Sequence, residues 1–322
     1  MKQIKEVNEL FLLTVVTGFV GSYLFSYFGF NRGDYFVSLL YSQFILVLPT
    51  LIYVIYKKVS VKELFRYRKI KIGTVFLSIL FAFLIMPLMQ EINLISMLFA
   101  KNEITSKMYA ITDGKPFILS MLVIAVVPAF LEESVYRGCF FNVYSKQSPL
   151  KAVVLSAFFF GLMHLNFNQF SYAFVMGMIF CLLVEGTNSI FTSMIVHFTI
   201  NCSSVVMLYV IPFLEDLVSR TGIAEAEAAM GDVNSMSRQS LLLSILIYGV
   251  IACFTTALAV LVYIAIVKHE NRWNYVKQLF RRKHNQKADA NIEQKKESFL
   301  SLPMLMAIAI CITYMIYYEI YY

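Results

Sequence analysis

Charge is scarce in this chain. Only 15% of its 322 residues are Asp, Glu, Lys or Arg, against about 25% in ordinary soluble domains, while 59% are hydrophobic. Such a composition excludes disorder and exceeds what one soluble core of this size can hide. Cysteine is sparse too. Cys139, Cys181, Cys202, Cys253 and Cys311 sit apart in apolar stretches with no CxxC pair, which excludes a disulfide framework or a zinc ribbon. They are expected to act as small buried hydrophobes. No HExxH occurs. The net charge of +7 would suggest nucleic acid in a soluble protein. In a membrane protein it records topology first, so no nucleic-acid partner is expected.

What is present is long apolar runs. A spanning helix takes about 20 mostly apolar residues, and nine stretches qualify: 8–28, 35–56, 72–99, 117–143, 149–168, 170–189, 190–214, 240–268 and 299–318. The first is too long for a signal-peptide core and no small-residue cleavage site follows it. The expected fold class is all-α, a polytopic membrane helix bundle of about nine transmembrane helices, or eight.

Lys and Arg divide unequally between the two sides of such a bundle. The stretch 57–71 holds seven and 268–297 holds nine. The side that carries the N-terminus collects 20 of the 27, the other side six, and Arg137 lies within a span. Excess positive charge marks the cytoplasmic side, so the N-terminus is expected there and the C-terminus outside. In RWNYVKQLFRR, Trp273, Val276 and Phe280 recur at helical spacing beside Lys277, Arg281 and Arg282. That pattern suits a helix lying on anionic lipid. The acidic segment 215–238 is expected to be a solvated outer connector.

Chemistry should sit where ionisable groups are placed in lipid at a cost. PAFLEESVYRG places Glu132, Glu133 and Arg137 in one apolar span; AFFFGLMHLNF places Phe160 and His164 in the next; MIVHFTIN places His197 and Asn201 two spans later. Glu133 and Arg137, four apart, share a helix face and can pair. Glu132 is turned about 100° away and stays free to take a proton. Pro128 removes a backbone hydrogen bond and can kink the span to open a pocket. His197 and Asn201 put two donors on one face, and Phe160 can pack beside the His164 imidazole. Taken singly, each has a plainer reading: a buried pair that fixes packing, a satisfied interhelical histidine, an asparagine acting as interhelical glue. Asn166, Asn168, Gln169, Glu185 and Asn188 lie near helix ends and are expected to be structural.

EESVYRG, FGLMH and HFTIN resemble, in order, the EExxxR, FxxxH and HxxxN motifs of the CAAX-protease and bacteriocin-processing (CPBP, or Abi) family, which includes the type II prenyl endopeptidases. The resemblance covers roughly residues 117–210, including the glycine-containing helix FVMGMIFCLLVEGTNS. It divides the chain into an N-terminal three-helix segment (1–116), a catalytic core (117–214) and a two-helix extension (215–322). It implies an intramembrane endopeptidase without a covalent acyl-enzyme. Glu132 and His164 would activate water, Glu133 and Arg137 would support the site, His197 and Asn201 would form the oxyanion hole, and Phe160 is a candidate substrate contact.

No cofactor is required by these roles. The alternative is zinc, with Glu132, Glu133, His164 and His197 as ligands. Two non-enzymatic readings stand beside the protease. One is a membrane binding or regulatory protein, such as a bacteriocin-immunity protein, a sensor or a transporter partner. The other is a transporter with a proton relay through Glu132 and His164, against which no inverted repeat is visible. The expected partner is a membrane-associated peptide or protein. The Phe-, Tyr- and Lys-rich composition points to a low-GC bacterium and its plasma membrane, where prenylated substrates are not expected. A polar cavity is expected among the three motif helices, opening toward the basic loops.

Overall fold

The computed structural model describes residues 3–30, 34–220, 237–281 and 297–321. Of the acidic connector expected at 215–238, residues 215–220 instead continue a helix that ends at Arg220, the next helix already starts at Arg238, and 221–236 lie outside the described residues, as does the basic run at 282–296 with Arg282. The described residues form an all-helical bundle. We number its apolar helices α1 (Gln3–Tyr27), α2 (Tyr35–Lys57), α3 (Ile72–Ser96), α4 (Phe117–Ser145), α5 (Pro149–Leu162), α6 (Phe167–Thr187), α7 (Phe191–Arg220), α8 (Arg238–His269) and α9 (Leu302–Tyr321). Eight are long and apolar enough to cross a membrane, which makes the chain an integral membrane protein.

The exception is α5, where a full span at 149–168 is expected and only 14 residues are helical. Pro149 starts it at a position where no amide donor is missed. Leu165 then adopts a left-handed φ of 55°, and Asn166 caps α6 by accepting from the Gln169 amide at 3.0 Å. Counted at 1.5 Å per residue from the ends nearest the 143–149 turn, Glu132 on α4 and His164 just past α5 both lie about 20 Å in.

The helix ends sort into two groups. At one end Lys57 pairs with Glu6 at 2.8 Å, Arg66 with Glu185 at 2.8 Å, Arg272 donates to the Glu185 carbonyl at 3.1 Å, and Gln147 donates to the Glu297 carbonyl at 2.8 Å. At the other, Lys115 meets Asp34 at 2.9 Å, Asn168 donates to Ser96 at 2.6 Å, and the Lys101 amide donates to Glu319 at 3.2 Å. The N-terminus and both basic loops therefore share one end, and α9 finishes at the opposite one. Trp273–Arg281 forms the expected short helix at the basic end, with Val276 buried. Cys139, Cys181 and Cys311 are buried as expected, whereas Cys253 is exposed on the face of α8.

Lipid tails are as apolar as leucine, so cross-helix hydrogen bonds and close packing tie such a bundle together. Ser156 on α5 donates to the Tyr136 carbonyl on α4 at 2.8 Å, and Phe11 on α1 stacks on Phe159 on α5 with centroids 3.8 Å apart. Glu185 is held by Arg66 and Tyr275. Asn188 closes α6 in a left-handed conformation. Both residues are thus structural, as expected.

Asp34 shows how the far end is pinned. Its carboxylate accepts from the Phe36 and Val37 amides at 2.8 and 3.3 Å, capping α2, while it binds Lys115. Lys115 and these amides hold the Asp34 carboxyl below the usual range. A carboxyl depressed in the folded state stabilises above its unfolded value and loses that contribution as pH falls through the folded one. Asp34→Ala removes both the α2 cap and the partner of Lys115 and is expected to destabilise the fold. Thermal unfolding in detergent reads this as a lowered midpoint, with the difference from the parent narrowing in acid.

Candidate active site

The site begins with an irregular helix. Two π-helical stretches, Leu122–Val126 and Ser134–Phe141, flank Glu132 and Glu133 on α4. Such widened turns recur at functional sites. Pro128 has no N–H to give the Ile124 carbonyl four residues back. Asn201 on α7 supplies the missing donor, its Nδ2 lying 3.0 Å from that carbonyl. The proline of the first motif helix and the asparagine of the third thus form one device, and Pro128, Ile124 and Asn201 all face a cavity.

The expected division between the two glutamates is present. Glu133 is fully buried; its Oε1 accepts from Arg137 Nη1 at 3.0 Å and from His197 Nδ1 at 3.0 Å. Arg137 is equally buried, with its guanidinium between the rings of Phe160, 4.2 Å away, and Phe180, 5.0 Å away. Desolvated cation–π contacts of this kind are worth about 2 kcal/mol. Gly177 on α6 makes room for the arrangement. A Cβ there would come within 2.9 Å of the Ala157 backbone and 3.2 Å of Arg137 Nη2.

Glu132 keeps some exposure, 13% of its side chain, and faces a cavity of about 1200 Å³. Its direct partners are Gln43 on α2, which donates through Nε2 at 2.8 Å, and His197, whose Nε2 is 4.0 Å from Oε2. His164 shares the cavity wall. Its Nδ1 lies 2.8 Å from the Phe160 carbonyl, which can only accept, so Nδ1 carries the proton and Nε2 of the neutral ring is an acceptor. Phe160 does pack on the imidazole, edge to face at 4.9 Å. It is 1% exposed, lies on the cavity lining and fills the space between Arg137 and His164.

Glu132, Phe160, His164, His197 and Asn201 therefore meet around one cavity, with Glu133 and Arg137 behind them. They do not form a chelate. Among the described residues no three His, Cys, Asp or Glu side chains are grouped to hold a metal ion, and Glu133 is already committed to Arg137 and His197. Sequence reasoning missed three participants: Gln43, Phe180 and Gly177. Gln43 had a readable signal, an amide in the middle of an apolar span.

The cavity's position departs from expectation. Its wall is built from the halves of α1, α2 and α3 remote from the basic loops, between Val15 and Tyr23, Leu39 and Leu46, and Met86 and Asn93. Ile104, Met108 and Ile111 of the short helix Ile104–Thr112 complete it. Nothing from 57–71 lines it. That basic segment folds back beneath the site: Tyr67 hydrogen-bonds Ser134 at 2.9 Å, Arg66 Nε donates to Asn142 at 2.7 Å, and a Cβ on Gly138 would fall 2.5 Å from the Phe65 ring. The basic end is packed shut, so the space lies at the other.

Fold and site define an integral membrane helix bundle with paired carboxylates, two histidines and an arginine enclosed in its interior. Residues 114–203, which include every motif residue above, match the family model of the Rce1-like type II CAAX prenyl endopeptidases, a family of membrane proteases. No curated protein and no solved structure matches the chain.

Proposed function

We propose that the chain is an intramembrane endopeptidase of the CAAX-protease and bacteriocin-processing (Abi) type, lying in a bacterial plasma membrane with its N-terminus in the cytoplasm. Its substrate is a membrane-associated peptide or protein, and anionic lipid contacts its basic loops. The observation that carries this reading is the meeting of Glu132, His164, His197 and Asn201 on one cavity wall within the matched residues.

The chemistry follows from the donors and acceptors. Water held between Glu132 and the His164 Nε2 acceptor attacks the scissile carbonyl carbon, and Glu132 takes its proton. The C=O electron pair moves to oxygen, which receives hydrogen bonds from Asn201 and from His197. Preorganised donors of this kind are worth about 3–4 kcal/mol each. As the tetrahedral species collapses, the C–N bond breaks and Glu132 returns the proton to the leaving nitrogen. Glu133 and Arg137 orient His197 and take no proton. No metal or other cofactor enters these steps.

Comparing the membrane peptidomes of cells carrying the parent chain and Glu132→Gln tests the reading. Fragments present only with the parent are expected. Identical peptidomes would replace the protease with a non-catalytic binding or regulatory protein, such as an immunity protein or a transporter partner.

Gln43 acts here as a positioning residue for Glu132. Gln43→Leu removes one hydrogen bond to a charged group, worth about 1.5–3 kcal/mol. Turnover of an identified peptide is expected to fall roughly 10–100-fold, with KM little changed. A change confined to KM would assign Gln43 to substrate contact instead.

A further inference from the structure

The cavity identifies both the face from which a substrate arrives and the kind of segment it can accept. From the level of Glu132 and His197 the wall runs toward the helix ends that carry Lys115, Asp34 and Ser96, reaching Leu39, Asn93 and Ile111. The opposite end is stopped by the 57–71 segment on α4 and by Arg66, which binds Glu185, Asn142 and Ser145 together. Both long basic loops start from the stopped end, and an excess of Lys and Arg marks the cytoplasmic side.

The wall has a distinct chemistry. Among the described residues, Glu132 is the one Asp, Glu, Lys or Arg side chain on it. Five amide side chains, Gln43, Gln90, Asn93, Gln169 and Asn201, provide donors and acceptors. Six methionines, among them Met86, Met163 and Met207, provide adaptable apolar surface. The volume of about 1200 Å³ exceeds the roughly 300–1,000 Å³ of small-molecule pockets. Amides spaced along such a wall suit a polypeptide backbone, whose N–H and C=O groups need partners in lipid. An acidic side chain placed there would be buried beside the Glu132 carboxylate with no cation on the wall to pair with, and a basic one beyond the reach of Glu132 would lack a counter-ion.

We propose that the site takes a stretch of polypeptide free of charged side chains, entering from the non-cytoplasmic face of the membrane. Exported peptides and the outward-facing ends of membrane proteins present such segments; a lipidated C-terminus on the cytoplasmic side does not reach this opening. That the bound segment is cut rests on the endopeptidase reading, whereas its binding and route of entry do not.

The test is cysteine labelling of the full chain with a membrane-impermeant maleimide, in right-side-out and inside-out vesicles of expressing cells. Ser42→Cys and Ser204→Cys report on the cavity wall and Ser60→Cys on the basic end, each measured above the baseline of the unsubstituted chain. The cavity thiols are expected to react in right-side-out vesicles and the Ser60→Cys thiol only in inside-out ones. Reaction of the cavity thiols only from the same face as Ser60→Cys overturns the proposal. Reaction from neither face, as in a space filled by lipid, overturns it equally. In detergent, a synthetic peptide of alanine, leucine, serine and glutamine is expected to slow labelling at both cavity positions severalfold, and the same peptide with a central aspartate to leave it unchanged. Equal protection by the two peptides removes the charge rule. The pattern is expected to persist with Glu132→Gln added, so a chain that cleaves nothing still answers the question of access.

Discussion

Glu132→Gln is expected to abolish measurable turnover of an identified peptide while leaving its binding nearly intact. The substitution keeps the side chain's shape, so a glutamine can still meet Gln43 and fill the same part of the cavity wall. What it removes is the capacity to accept a proton from water and hand it to the leaving nitrogen. General acid–base catalysis contributes about 10²–10⁴-fold, and here one carboxylate serves in both directions. The loss should therefore lie at the upper end of that range and fall on kcat, because the ground-state contacts survive. The measurement is single-turnover kinetics on purified protein in bilayer discs, alongside affinity for the same peptide. Turnover within tenfold of the parent would sink the glutamate mechanism. Unchanged binding by a parent chain that itself never cleaves would mark a binding protein built on a protease site.

How much of this was readable beforehand depended on where the physics is local. Glu132, Glu133, Arg137, His164, His197 and Asn201 stand out because ionisable and amide groups in lipid are costly and therefore conspicuous. The Glu133–Arg137 pair follows from spacing alone, since four residues return to one helix face, and it holds even across a π-helical stretch. The early end of α5 does not follow from hydropathy, because Met163 and Leu165 are as apolar as the helix they leave. It follows from the left-handed Leu165 and the Asn166 cap, which look like ordinary span residues in an apolar run. The Gln43–Glu132 bond joins positions 89 apart in sequence, and no pattern in either helix announces the other. Loop charge correctly groups the helix ends, but it says nothing of which half of the bundle is hollow. Expecting the opening beside the basic loops used a rule about orientation to answer a question about packing.

Arg137→Ala should lower stability more than any other single change at the site. The guanidinium is fully buried, pairs with Glu133 at 3.0 Å and fills the gap between the Phe160 and Phe180 rings. Truncation removes the one full positive charge beside a carboxylate that has no exposure of its own. His197 Nδ1 remains as a donor to Glu133, but one imidazole must then answer both carboxylates. Removing one partner of a buried pair typically costs about 3–5 kcal/mol, and here an empty volume opens between two aromatic rings as well. The cause can be isolated by adding Glu133→Gln to the same chain. A neutral amide needs no counter-ion, so the double variant should recover most of the lost unfolding temperature in detergent while staying inactive. Arg137→Lys separates charge from shape. Its ammonium can still reach Glu133 but cannot stack as a plane between two rings, so partial stability with misplaced His197 and reduced activity is expected. Should Arg137→Ala unfold at the parent's temperature, Glu133 must be held by groups other than this pair, and the supporting role assigned to Arg137 would fall with it.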